Sequence, residues 1–197
     1  MKRKKTNVAV LLLVLIIGLG GIGSIIAYSL HVNANIPQLY VRERRGTGER
    51  MYRNTVGINI RENYPRNPAQ LMDLYLSSVL FLYGNIILDE GIFMEVIEFQ
   101  REMFSGELLA ASTPQSQFEN LMTSLEVFDY LGLSLRTSTV ENIRHDFYDQ
   151  RTALAYVIHP FFLQDNIYRV YHLVQDEFDM WRINSWSQAD SDFNVMP

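Results

Sequence analysis

The chain has no cysteine. Disulfides, thiolate metal sites and a lipid-modified cysteine are therefore excluded. Lysine disappears after Lys5; every later basic residue is an arginine. No H-x-x-x-H spacing, no G-x-S-x-G and no convincing carboxylate pair occurs, so neither a metal centre nor a known nucleophile arrangement is expected. Positive charge is also scarce where it would matter. Setting aside Lys2, Arg3, Lys4 and Lys5 leaves 13 basic residues against 22 acids, a net of −9. Such a surface is a poor match for a phosphate backbone, and no nucleic-acid partner is expected.

Glycine is unevenly spread. Four of the 11 glycines fall in GLGGIG, Gly18 to Gly23. This string satisfies the G-x-G-x-x-G fingerprint, follows the apolar run VAVLLLVLII, and has Glu43 at 20 positions beyond Gly23. A nucleotide turn, however, needs a short strand that stops at the glycines. Here the apolar character continues: Val8 to Leu30 contains no charged residue. Its 23 residues make a helix of about 34 Å, enough to cross a hydrocarbon core of about 30 Å. In water the glycines would each cost a helix about 1 kcal/mol relative to alanine. In a bilayer they are common, as a close-approach face or simply because they are tolerated. The reading is a transmembrane helix.

MKRKK sits directly before this span, which favours a cytoplasmic N-terminus and an extracytoplasmic remainder. RERRGTGERMYR, from Arg42 to Arg53, weakens the charge contrast. Arg42, Arg44 and Arg45 form a basic cluster on the membrane side, either touching lipid headgroups or solvated in a linker. Val32-Asn33-Ala34 offers a signal-peptide cleavage site, but the apolar run exceeds the usual 7–15 residues of a signal peptide, so a retained anchor is expected.

The expected layout is a basic start over 1–7, the transmembrane helix over 8–30, a stalk over 31–55, one domain over 56–188 and a disordered tail over 189–197. Asn67-Pro68 caps a helix running to Tyr83, whose apolar residues nearly encircle it. A second helix is expected from Glu90 to Phe104, a short turn over Ser105 to Ser112, and a third helix from Thr113-Pro114 to Leu131, stopped by Gly132. Beyond Leu133 the period shifts to about 2. Four strands are expected, Leu135 to Tyr148, Ala153 to Gln164, Ile167 to Phe178 and Trp181 to Ser187, joined by short links into a meander. The fold class is α+β: about three helices packed on one face of a curved antiparallel sheet of about four strands.

With helices ahead of a bent sheet and a tryptophan-bearing last strand, the chain resembles the cone-shaped nuclear transport factor 2-like (SnoaL-like) superfamily. More narrowly, it resembles a family of single-span bacterial proteins, mostly from Gram-positive anaerobes, with an uncharacterised domain of this kind. NYPRNPAQLMDLY (Asn63 to Tyr75), SGELLAAS near Glu107 to Leu109, and DEFDMWRINSW (Asp176 to Trp186) carry the likeness. Asp179-Met180 stands where that pattern favours a glycine. The resemblance implies a fold and a location in the cell envelope, not a reaction.

Cone-shaped domains often enclose a pocket between sheet and long helix. Tyr156, Tyr171 and His172 are the candidate lining here, while Trp181 and Trp186 are expected to close the sheet structurally. His145 and Asp146 alternate across a strand and cannot pair as acid and base. His159, beside Pro160, marks an edge or bulge. No catalytic residue, metal or cofactor is assigned. The leading expectation is a membrane-anchored, non-enzymatic module that binds a protein or peptide, or a second copy of itself. The alternatives are a small-ligand carrier or pocket enzyme of the SnoaL-like type, and an assembly subunit of a secretion or conjugation channel.

Overall fold

The structure, a computed structural model, describes residues 55–84, 90–162 and 165–196. The expected transmembrane helix, its basic start, most of the stalk and the cluster Arg42, Arg44 and Arg45 lie outside these residues. Among the described residues no helix is long and apolar enough to cross a membrane.

Local signals set the helices. Helix α1 spans Pro68–Tyr83, with the Asn67 side chain accepting the Gln70 amide at 2.9 Å. Helix α2 spans Glu90–Arg101 and α3 spans Gly106–Ala111, the latter capped by Ser105. Helix α4, Pro114–Leu131, opens on a capping box formed by Thr113 and Ser116. It closes where Gly132 takes a left-handed φ of 64°, a conformation that costs glycine little and most residues about 1–2 kcal/mol.

Helix α1 is the centre of the core. Leu71, Met72 and Phe81 have no exposed surface, and burying each contributes roughly 1.5–3 kcal/mol. The apolar residues that encircle α1 are matched by its neighbours, since it touches α2 and the strands Ser134–Leu135, Thr139–His145, Thr152–His159 and Trp181–Ala189.

Among the described residues six strands follow: β1 (Ser134–Leu135), β2 (Thr139–His145), β3 (Thr152–His159), β4 (Phe161–Phe162), β5 (Ile167–Gln175) and β6 (Trp181–Ala189). Two antiparallel sheets result, one ordered β2-β3-β5-β6 and the other β1-β4. The four expected strands are thus six, because each of the first two runs is divided. Pro160 has no amide hydrogen to continue the ladder, so the chain leaves the large sheet after His159. The Pro160 carbonyl instead accepts from the Arg136 amide at 3.0 Å, beside the small β1-β4 sheet.

Register assigns the faces. Ala153, Ala155, Val157 and His159 of β3 are buried toward the helices, alongside Ile167, Arg169, Tyr171 and Leu173 of β5. Leu154, Tyr156 and Ile158 point to the other side, paired with His172, Val170 and Tyr168. Bulges between Val140 and Asn142 and between His172 and Leu173 interrupt the ladder.

The end of the chain departs from the disordered tail expected over 189–197. Ala189 completes β6 and forms an isolated bridge with Val195, and the Met196 amide donates to the Gln188 carbonyl at 3.0 Å. The Asp190 carboxylate accepts the amides of Asp192 and Asn194 at 2.9 Å each. This turn lays the Phe193 ring edge-on to Tyr156 and Tyr168. Polar composition suggests fraying, but a self-capped turn and one aromatic ring hold the segment back against the sheet.

The hairpin between β5 and β6 places a non-glycine residue in a left-handed conformation. Asp179 holds φ at 60°, the left-handed region a glycine would occupy more cheaply. Asp179→Gly should therefore raise unfolding stability by about 0.5–1 kcal/mol, as the relieved strain exceeds the added chain entropy. A urea titration measures this, and an unchanged or lowered midpoint would show that the turn is not strained.

Candidate functional site

Three distant pieces of chain meet at Arg182 of β6. Its Nε donates to Asp176 Oδ2 at 2.8 Å, across the β5–β6 hairpin. One Nη1 bond reaches the Tyr64 hydroxyl at 3.0 Å and another the Glu102 carbonyl after α2. The guanidinium also lies 4.6 Å from the Tyr64 ring centroid, a cation–π arrangement. Tyr64 in turn donates its hydroxyl to the Trp181 carbonyl at 2.7 Å. Trp181 is buried, and His145 stands edge-on to its ring at 5.4 Å.

Electrostatics follow from this packing. Burial pushes the Tyr64 hydroxyl up to about 12, against the opposing pull of the Arg182 charge and hydrogen bond. Burial alone would raise Asp176; the hydrogen bonds from Arg182 and from the Met180 and Phe178 amides outweigh it and hold the carboxyl below its ordinary value. Asp176 Oδ1 takes those two amides at 3.0 and 2.9 Å, so one carboxylate both shapes the hairpin and anchors the arginine.

Tyr64 is also a wall of an open groove of about 670 Å³ that runs along the first turns of α1. Ile58 and Leu74 are apolar parts of its lining, and Glu62, Asp73 and Arg66 are charged parts. The groove is thus built on a side chain that cannot swing away, since Arg182 and Trp181 hold both its ring and its hydroxyl.

The residues nominated from sequence do not share one space. Tyr171 is fully buried on the helix side, whereas Tyr156 and His172 lie half-buried on the opposite face. The Arg144 guanidinium lies 5.0 Å from the Tyr156 ring centroid, and His172 pairs with Leu154 and Ser185. Trp186 is half-buried, its ring near Phe104 and Tyr171. His159 is not at a sheet edge; it ends a central strand, with Nδ1 at 2.8 Å from Ser138 Oγ and Nε2 at 3.2 Å from the Tyr171 hydroxyl. Burial, then the Arg169 charge, lowers its pKa well below the ordinary histidine value, so it stays neutral. Among the described residues no group of three or more His, Asp or Glu is placed to hold a metal ion.

Sequence reasoning missed Tyr64, Asp176 and Arg182 as a unit. Tyr64 and Arg182 are 118 positions apart, and no local pattern links them. Arg169 was missed too, although one signal was present: strict alternation puts it on the same face as Ile167 and Tyr171.

Comparison with known proteins adds a membership. The chain matches a family defined by a domain of unknown function, DUF6715, over residues 1–186. It belongs to that family. No curated protein and no solved structure matches it. The DUF6715 match runs from the basic start through the Trp186 strand, so it includes both the groove and the Arg182 tie.

The Asp176 carboxylate has a consequence for acid stability. Its folded pKa is depressed, so its contribution is complete above the unfolded value of about 3.9 and is lost as pH falls through the folded one. Asp176→Asn should cost about 1.5–3 kcal/mol at pH 7, the range for hydrogen bonds to charged groups. Urea midpoints of both proteins should converge as pH drops below about 4. A gap that stays constant with pH would show that the charge of Asp176 is not what stabilises the hairpin.

Proposed function

We propose that the protein is a membrane-anchored, non-enzymatic module that holds an extended segment of a partner protein in the groove beside Tyr64. The observation that carries this reading is a preorganised aromatic on an open groove. Affinity is gained when the binding side chains are already fixed before the partner arrives. Tyrosine and arginine, the pair locked here, are also the residue types that dominate interface energetics. The partner chemistry follows from the lining: an apolar side chain over Ile58 and Leu74, and a basic one facing Glu62 and Asp73. The acidic balance of the chain beyond Lys5 steers a basic segment toward it.

Anchoring rests on the apolar run Val8 to Leu30 and the four basic residues before it, which orient the domain outside the cytoplasmic membrane of a bacterial cell. We infer further that the domain is of the nuclear transport factor 2-like cone type. Support comes from helices that pack on one face of an antiparallel sheet and from the two bulges, which bend and twist the strands that carry them.

Self-association, as in a channel subunit, is less favoured by the sheet. Strand β2 is an edge, and its bulge and the exposed Glu141 and Arg144 are the devices that discourage edge-to-edge pairing. A small-ligand carrier gains support from the buried polar cluster around Arg169.

The absence of native cysteine makes the orientation simple to test. In Ser191→Cys, a membrane-impermeant maleimide should label intact cells; in Thr6→Cys it should label only after lysis. The reverse pattern would overturn the orientation. A photo-crosslinking residue at Gln70 should yield an adduct that Asp73→Arg abolishes and substitution of the exposed Tyr130 leaves alone. An adduct of twice the chain mass would favour self-association instead, and no adduct in cells would remove the groove as an interface.

A further inference from the structure

Among the described residues the interior contains a cation without an anion. Arg169 is only 5% exposed, and arginine is almost never this buried unless paired with an acid. Yet none of the ion pairs among the described residues involves it. Register places it on the helix side of β5, directly opposite Val157 and Gln188 and two positions from Tyr171. Its charge bears on the Tyr171 hydroxyl. That oxygen also meets His159, whose other ring nitrogen is held by Ser138.

None of these neighbours neutralises the charge. His159 is held neutral by burial. Tyr75, Tyr83 and Tyr171 are all pushed up by burial and remain protonated phenols, despite the opposing Arg169 charge. An arginine cannot shed its proton in a protein. A second group is also unsatisfied. Tyr75 of α1 is 5% exposed, its ring edge-on to Tyr171 at 5.7 Å, and its hydroxyl makes no hydrogen bond among the described residues. A buried guanidinium without an acid and a buried hydroxyl without an acceptor lack the same thing, a negatively charged acceptor.

We propose that the core between α1 and β5 is an anion site, in which Arg169 and the Tyr75 hydroxyl hold a small monoanion, either a halide or the carboxylate of a short apolar acid. The donor set favours a single charge. One guanidinium balances one negative charge, and the apolar surroundings penalise a doubly charged phosphate or sulfate, whose desolvation is far costlier. Neutral phenol and imidazole groups nearby add donors without adding a competing anion.

The test uses the full chain in detergent micelles, purified throughout in gluconate, an anion too large and hydrophilic for the core. Thermal unfolding is followed by tryptophan fluorescence while chloride, bromide or hexanoate replaces gluconate at constant ionic strength. The expected result is a saturable rise in midpoint. Tyr75→Phe should shift half-saturation about tenfold upward, the equivalent of one lost hydrogen bond, and Arg169→Met should abolish the response. Should Arg169→Met fail to fold, Tyr75→Phe and an anomalous bromide peak beside the guanidinium in crystals decide the matter. Saturation by chloride and bromide alone assigns a halide; saturation by hexanoate at lower concentration assigns an organic acid. Equal midpoints in all anions, or the same response in wild type and Tyr75→Phe, would overturn the proposal.

Discussion

The Arg182 guanidinium ties this domain together. Hydrophobic burial under α1 provides most of the favourable energy, but it is non-directional and specifies no unique alignment. Arg182 supplies direction. It binds the segment before α1 through Tyr64, the end of α2 through the Glu102 carbonyl, and its own hairpin through Asp176. These contacts lie up to 118 positions apart in the chain. They converge beside Trp181, whose burial against the core keeps the arginine partly shielded from water. Partial shielding matters, since an exposed ion pair such as Arg61 to Glu102 contributes little for the same short distance.

The isolated parallel bridge between Phe104 and Ile183 extends the same tie. The Ser105 amide donates to the Ile183 carbonyl at 2.9 Å, and the Ile183 amide to the Met103 carbonyl at 2.8 Å. Ser105 Oγ and Asn184 Oδ1 stand 2.6 Å apart. The turn between α2 and α3 is thus bonded to β6 as if it were a short neighbouring strand. The groove at Tyr64 therefore sits on structure braced from two sides.

How much of this was legible in sequence depends on the range of the interaction concerned. Helix α1 was readable because its signals are local: Asn67-Pro68 at one end and a glycine break at the other. The capped start of α4 and its Gly132 stop are local in the same way. The change of period after Leu133 located the sheet. The split at Pro160 required knowing which neighbour each strand pairs with, a property of the fold rather than of the segment. The folded tail depended on Phe193 meeting Tyr156 and Tyr168, again a contact between remote pieces. The candidate site was least legible for the same reason. Aromatic density pointed to Tyr156, Tyr171 and His172, but register separates them onto two faces. The groove is lined by one local stretch, Ile58 to Ser77, but the tie that braces it joins residues that no local pattern brings together.

The absence of lysine beyond Lys5 acquires a structural meaning from these contacts. Arg182 directs one charge at a carboxylate, a phenol and a carbonyl in different directions, while its flat face covers an aromatic ring. Arg151 similarly donates to the backbone carbonyls of both Gln175 and Asp176, bracing the base of the same hairpin. An ammonium is a compact, strongly hydrated point charge with three donors; it could not span these partners or stack in the same way. A buried lysine at position 169 would also escape its charge by losing a proton, which arginine does not do. A chain that uses only arginine in its folded part keeps these charges fixed, and position 169 is where that permanence has the largest electrostatic consequence, because among the described residues the charge there has no acid paired with it.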